Sequence, residues 1–116
     1  MKYKAVIQLS SGEDAVIKST VSQIHNLLKD LKNEVEIELV CHGKCLSFVT
    51  NDQGVWNSVL EDLLSKSVKI VACENMLIAN AKSKNDLFDG IETVPAAIAE
   101  LVVKQQQGWS YIKAGF

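Results

Sequence analysis

The sequence predicts an α/β protein of three layers, α/β/α, built on a mostly parallel sheet of about five strands. Three observations predict it. Short apolar runs alternate along the chain with segments whose apolar residues recur at helical spacing. The first run, Lys4-Ala5-Val6-Ile7-Gln8-Leu9, is almost continuously apolar, as a strand covered on both faces should be. Strands alternating with helices imply right-handed crossovers, and therefore parallel neighbours. Residues 1–116 read as a single domain, without repeats, low-complexity tracts or linkers.

After the first strand, Ser10-Ser11-Gly12 breaks the chain. Between Glu13 and Leu31 the residues Ile17, Val21, Ile24, Leu28 and Leu31 line one helical face. The acidic start (Glu13, Asp14) and the lysines near its end (Lys29, Lys32) suit the helix dipole. Val35 to Val40 alternates apolar with acidic residues and is expected as a half-exposed strand, closed by Cys41-His42-Gly43 with Gly43 at a sharp turn. Lys44 to Thr50 reads as a short helix, Asn51 to Gly54 as a polar loop, and Val55 to about Lys66 as a second long helix. Val68 to Ala72 is a third strand running straight into Cys73, with a short helix behind it. Asn80 to Gly90 is looped, with one helical turn near Asn85 to Phe88, and Ile91 to Val94 is a fourth strand. Pro95 suits the first turn of a helix continued by Ile98, Leu101, Val102 and Gln105 and ended by Gly108. Trp109 to Lys113 is the last strand.

Composition excludes several classes. No apolar run approaches the ~18 residues that span a bilayer, and the start of the chain lacks leader character. A cytoplasmic, non-membrane protein is expected. Three cysteines, Cys41, Cys45 and Cys73, are too few and too odd in number for a secreted disulfide framework. The net charge is −2, and all twelve basic residues are lysines, so guanidinium clamps for phosphate or guanine are missing. Nucleic acid is not an expected partner.

In parallel sheets, chemistry sits beyond the carboxyl ends of the strands. Ser10-Ser11-Gly12, Cys41-His42-Gly43 and Cys73-Glu74-Asn75 all follow strands, and converge on one rim if the first three strands are neighbours. Cys73 stands out because a strand end followed by a helix start presents backbone N–H groups that favour thiolate, the reactive form. The reading requires an exposed sulfur; its bland counterpart is a small buried residue that merely ends a strand. His42 is the candidate base for Cys73, or a donor to its sulfur, against a rim histidine satisfied by backbone or water. Asn75 reads as a cap for the segment after Cys73, or as a residue that orients a ligand. Glu74 reads as solvated. His25 reads as a surface residue; Gln105, Trp109 and Tyr111 as packing or contact residues. A zinc set of Cys41, His42, Cys45 and Cys73, or a cysteine redox pair, is a minor alternative because the spacing is not that of a standard knuckle.

Five pieces in order resemble the DsrE/DsrF-like family, whose fold is often called YchN-like. They are Asn26-Leu27-Leu28, the run Val35 to Gly43 ending in His-Gly, Val71-Ala72-Cys73-Glu74-Asn75-Met76-Leu77, Glu92-Thr93-Val94-Pro95, and Gln105 through Gly108-Trp109 to Tyr111-Ile112-Lys113. The resemblance covers nearly the whole chain. It implies an α/β domain that forms homo-oligomers, trimers or hexamers. In sulfur-trafficking members the cysteine of this region accepts sulfane sulfur from one protein and hands it to another, which by position makes Cys73 the carrier. Glu74 departs from the family's usual small or varied residue, and an adjacent carboxylate raises a thiol pKa. The expected site is thus Cys73 and His42, lined by Asn75, Glu74, Gly43 and Ser11, with no metal or organic cofactor. The rival is a non-catalytic oligomeric module presenting the same rim to a ligand or a protein.

Overall fold

The computed structural model describes residues 3–51 and 54–115. Five strands, β1 (Tyr3–Leu9), β2 (Val35–Cys41), β3 (Lys69–Cys73), β4 (Glu92–Val94) and β5 (Ser110–Lys113), form one sheet in the order β4-β3-β2-β1-β5. Every neighbouring pair is parallel. The helices are α1 (Asp14–Asp30), α2 (Leu46–Val49), α3 (Asn57–Ser65), α4 (Glu74–Ala79) and α5 (Ala97–Gln106), with a 3₁₀ turn at Lys84–Asp86. The predicted α/β architecture is the observed one.

Strand order dictates where the helices lie. From β1 to β4 the chain steps across the sheet in one direction, so right-handed crossovers put α1, α3 and the β3–β4 connection on one face. The step from β4 back to β5 runs the opposite way, which puts α5 on the other face. Side chains follow suit. Ile7, Leu39 and Ile70 are register partners on the first face, and Val6, Glu38 and Lys69 are partners on the second. Ile17 and Ile24 of α1 and Leu60 and Leu63 of α3 are completely buried, as are Leu39 and Ile70. Burying each such side chain contributes roughly 1.5–3 kcal/mol. His25 on α1 meets Asp62 on α3 at 2.9 Å, and Lys66 reaches the same oxygen at 3.1 Å. Lys66, and then His25, hold the Asp62 carboxyl below its usual range.

Several expectations are corrected. The Val35–Val40 segment is not half-exposed: it is the central strand, and Glu38 is completely buried beneath α5. Its alternation marks two buried faces, one of them holding a carboxyl. His25 is half-buried and paired rather than simply solvated. The short helix of the 44–50 segment spans only Leu46–Val49, because Thr50 leaves it to bridge Leu87. Pro95 precedes α5 instead of opening it, with Ala96 at the cap position. The buried residues of α5 are Ala97 and Leu101, while Ile98 and Val102 point to solvent. Trp109 is buried just ahead of β5. Part of the polar loop expected at residues 51–54, and the first two residues, lie outside the described residues.

Candidate functional site at the carboxyl rim of the sheet

β1, β2 and β3 are neighbours, so the three polar segments do meet on one rim. Two of them are zipped together beyond the strands. His42 N–H donates to the Leu9 carbonyl at 3.1 Å, and Lys44 N–H donates to the Ser10 carbonyl at 3.0 Å. Gly43 turns the chain there with φ of +67°, a conformation glycine adopts without strain. The paired residues Cys41 and Ala72 fix the relation of the next residue on each strand. His42 and Cys73 therefore stand side by side, on the face that α5 covers.

Strand order adds something the sequence did not show. β3 and β4 are adjacent, Cys73 pairs with Val94, and their following connections leave to opposite faces of the sheet. Cys73 thus sits at the switch point, the crevice where parallel α/β sheets place ligands.

A polar chain runs along this rim. The Tyr111 hydroxyl donates to Gln8 Oε1, and the Gln8 amide nitrogen lies 2.8 Å from His42 Nε2. With the amide oriented by Tyr111, Gln8 donates to Nε2, which assigns the neutral imidazole a protonated Nδ1. Burial lowers the His42 pKa below its ordinary value, so the ring is neutral near pH 7. This geometry favours His42 as a hydrogen-bond donor through Nδ1 over His42 as a base through Nε2. Sequence reasoning missed Gln8 and gave Tyr111 a packing or contact role. The available signal was Gln8 itself, a polar residue inside the otherwise apolar run Ala5–Leu9.

The other predicted residues fall in different places. Cys73 is the cap residue ahead of α4, and it is 6% exposed, which corrects the expectation of an open sulfur. Glu74 and Asn75 are the first two residues of α4 and are exposed, so Asn75 is not the cap. Ser11 is engaged in the turn before α1, its hydroxyl accepting the Glu13 N–H at 3.1 Å. Gly43 is exposed beside Ser10.

The three cysteines do not converge. Cys41 pairs with Ala72, so it points to the α1 side of the sheet while Cys73 points to the α5 side. Cys41 and Cys45 are completely buried, and the neighbouring Cys45 thiol and burial together push the Cys41 thiol well above its usual range. Both are packing thiols. Among the described residues, no group of three or more His, Cys, Asp or Glu side chains is placed to hold a metal ion. An open cleft of about 600 Å³ lies at the other end of the sheet, against Asn33, Val35 and Lys66, and contains none of the rim residues. No helix among the described residues is long and apolar enough to cross a membrane.

The fold and its rim define a parallel five-stranded α/β protein with a polar crevice at the switch point. Solved structures share this architecture along their whole length. A protein of unknown function from Methanobacterium thermoautotrophicum matches with a TM-score of 0.91 at 26% identity, covering 96% of this chain and 98% of its own. The YchN protein of E. coli matches with a TM-score of 0.78 at 13% identity, covering 97% and 99%. A conserved protein of unknown function from Bacteroides thetaiotaomicron matches at 0.73 and 17% identity, covering 95% and 93%. The chain has the YchN-like fold of the DsrE-like proteins, as its sequence resemblance implied. No family model and no curated protein matches the sequence.

Proposed function

We propose that the protein is a carrier of sulfane sulfur, a sulfurtransferase component, with Cys73 as the carrying residue. The observation that supports this most is the position of Cys73 at the switch point, beside His42 and ahead of α4. The Cys73 thiolate attacks the outer sulfur of a donor persulfide R–S–SH. A new S–S bond forms at Cys73, the old one breaks, and R–S⁻ leaves, giving Cys73–S–SH. An acceptor thiolate then takes the same outer sulfur and returns Cys73 to thiolate. Each step is an exchange with no net change of oxidation state. His42 Nδ1–H is the donor that stabilises anionic sulfur at the rim. Asn75 and Glu74, exposed at the entrance, meet the incoming protein, with Gly43 and Ser11 shaping the neighbouring loops.

The protein works in the cytoplasm as a homo-oligomer, a trimer or hexamer. This reading is supported by apolar side chains left in solvent: Ile98, Val102 and Val103 on α5, and Tyr111 and Ile112 on the edge strand β5. Light scattering on the purified chain is expected to give three or six times the 12.8 kDa monomer mass. A monomer at micromolar concentration contradicts it.

Intact and peptide mass spectrometry after incubation with a persulfide donor tests the chemistry. The expected product is one added sulfur on Cys73, absent from Cys73→Ser, with Cys41 and Cys45 unmodified. No adduct on Cys73 overturns the carrier reading. The burial of Cys73, at 6% exposure, favours a second reading in that event, a binding module that presents the rim without covalent chemistry.

A further inference from the structure

A carboxyl in the middle of the sheet has no role in the rim chemistry. Glu38 lies on β2, the central strand, with 0% exposure. Neither of its oxygens has a hydrogen-bond partner when the side chain is ionised. Its nearest cations are Lys69 on β3 at 3.6 Å and Lys104 on α5 at 3.8 Å, within ion-pair range but beyond hydrogen-bond distance. Glu100, one turn before Lys104 on α5, also acts on Glu38, and it can accept a hydrogen bond from Glu38 only when Glu38 is protonated. Buried charge without such bonds is costly, and a shared proton removes the cost.

Within a single chain, α5 has little else to hold it. Of its ten residues only Ala97 and Leu101 are buried, and Ile98, Val102 and Val103 are about half or more exposed. Lys104 reaches toward Glu38 while lying 4.7 Å over the Trp109 ring.

We infer that Glu38 and Glu100 form a proton-operated latch: sharing one proton they seat α5 on the sheet, and losing it loosens α5. The surroundings are consistent with that sign. Lys104 and Glu100 come from α5 and Lys69 from β3, while the register places Lys4 of β1, Glu36 of β2 and Tyr111 of β5 on the same face of the sheet. Burial, followed by the Glu100 hydrogen bond and the Glu100 charge, pushes the Glu38 pKa to about 7, while Lys104 and Lys69 pull it back only in part. The latch therefore works in the physiological range. It also reaches the rim, because α5 continues through buried Trp109 into β5, where Tyr111 holds Gln8 against His42.

Amide hydrogen exchange of the whole protein between pH 6 and pH 8, corrected for intrinsic rates, tests the latch. Protection of the α5 amides, residues 97–106, is expected to fall about tenfold over that range and then level off, while α1 stays unchanged. In Glu38→Gln, whose amide donates to Glu100 as the protonated acid does, α5 protection is expected to be independent of pH. Flat protection in the wild type, or an equal fall in Glu38→Gln, overturns the inference. If Glu38→Gln does not fold, Glu100→Gln decides: its fall must move to lower pH, and an unmoved midpoint refutes the latch.

Discussion

Gly12→Ala is expected to destabilise the protein by about 3 kcal/mol, the upper end for overpacking, and to disorder the rim. A Cβ at residue 12 would lie 2.2 Å from the Lys44 carbonyl oxygen. That atom is backbone, so no side-chain rotation relieves the clash. Separating the two loops strains the bonds that zip them, His42 N–H to Leu9 and Lys44 N–H to Ser10. The His42 ring then loses its fixed relation to Gln8. Urea unfolding should show a lower midpoint with an unchanged slope, and NMR shifts should change in the two loops, residues 9–12 and 41–45, while the far end of α1 is undisturbed. A loss below about 0.5 kcal/mol, the range of an ordinary surface substitution, would mean that the loops do not abut. In the proposed relay this loop delivers His42 to the rim, so loss of the zipped geometry should also lower sulfur loading of Cys73.

Glu38→Gln is expected to stabilise the protein at pH 8 and to change little at pH 5. The sign follows from the proton balance. The folded state holds the Glu38 proton up to about pH 7, whereas an unfolded glutamic acid releases it near its ordinary value of 4.5. Folding therefore takes up a proton between these values, and stability declines as pH rises through that window. The whole loss is about 3 kcal/mol, with the pull of Lys104 and Lys69 already contained in the folded-state value. Other groups act elsewhere or in the other direction. Asp62, held below 3.8, contributes stability that is lost only on deeper acidification. His42, lowered from 6.5 by burial, favours the folded state as pH rises toward 6.5. Comparing wild type with Glu38→Gln at each pH cancels both. The difference in unfolding free energy should grow from pH 5 to pH 7 and then plateau; a constant difference would show that Glu38 carries its charge in the folded state. The global experiment and the local exchange of α5 are separable, since a latch confined to α5 moves its amides without requiring the full global change.

The α1 stripe was legible because Ile17, Ile24 and Leu28 repeat with the helix period and all three are buried. Glu38 was misread for a definite reason. An alternating apolar–acidic run has the same pattern whether its acidic side meets water or a helix, and only the return of α5 across the sheet decides between them. Pro95 and the face of α5 were misplaced for a similar reason: Ile98 and Val102 are as apolar as Leu101, and local pattern does not say which apolar residue faces the sheet. At the site, Cys73 and His42 were legible as strand-end residues, but their neighbourhood required the register of β2 on β3. Gln8 and Tyr111 were not legible as partners because 103 residues separate them along the chain.

What the sequence by itself determined is the set of elements and their parallel class. Hydrophobic period, turn residues and alternating strands and helices are local properties, and they suffice to specify a mostly parallel α/β chain; its YchN-like kind was implied by the resemblance of five short motifs. The tertiary structure alone decided strand order, and with it three consequences: Cys73 at the switch point, the cysteines divided between opposite faces of the sheet, and Glu38 sealed under α5. Each depends on which distant segments become neighbours, and local sequence period carries no record of that pairing.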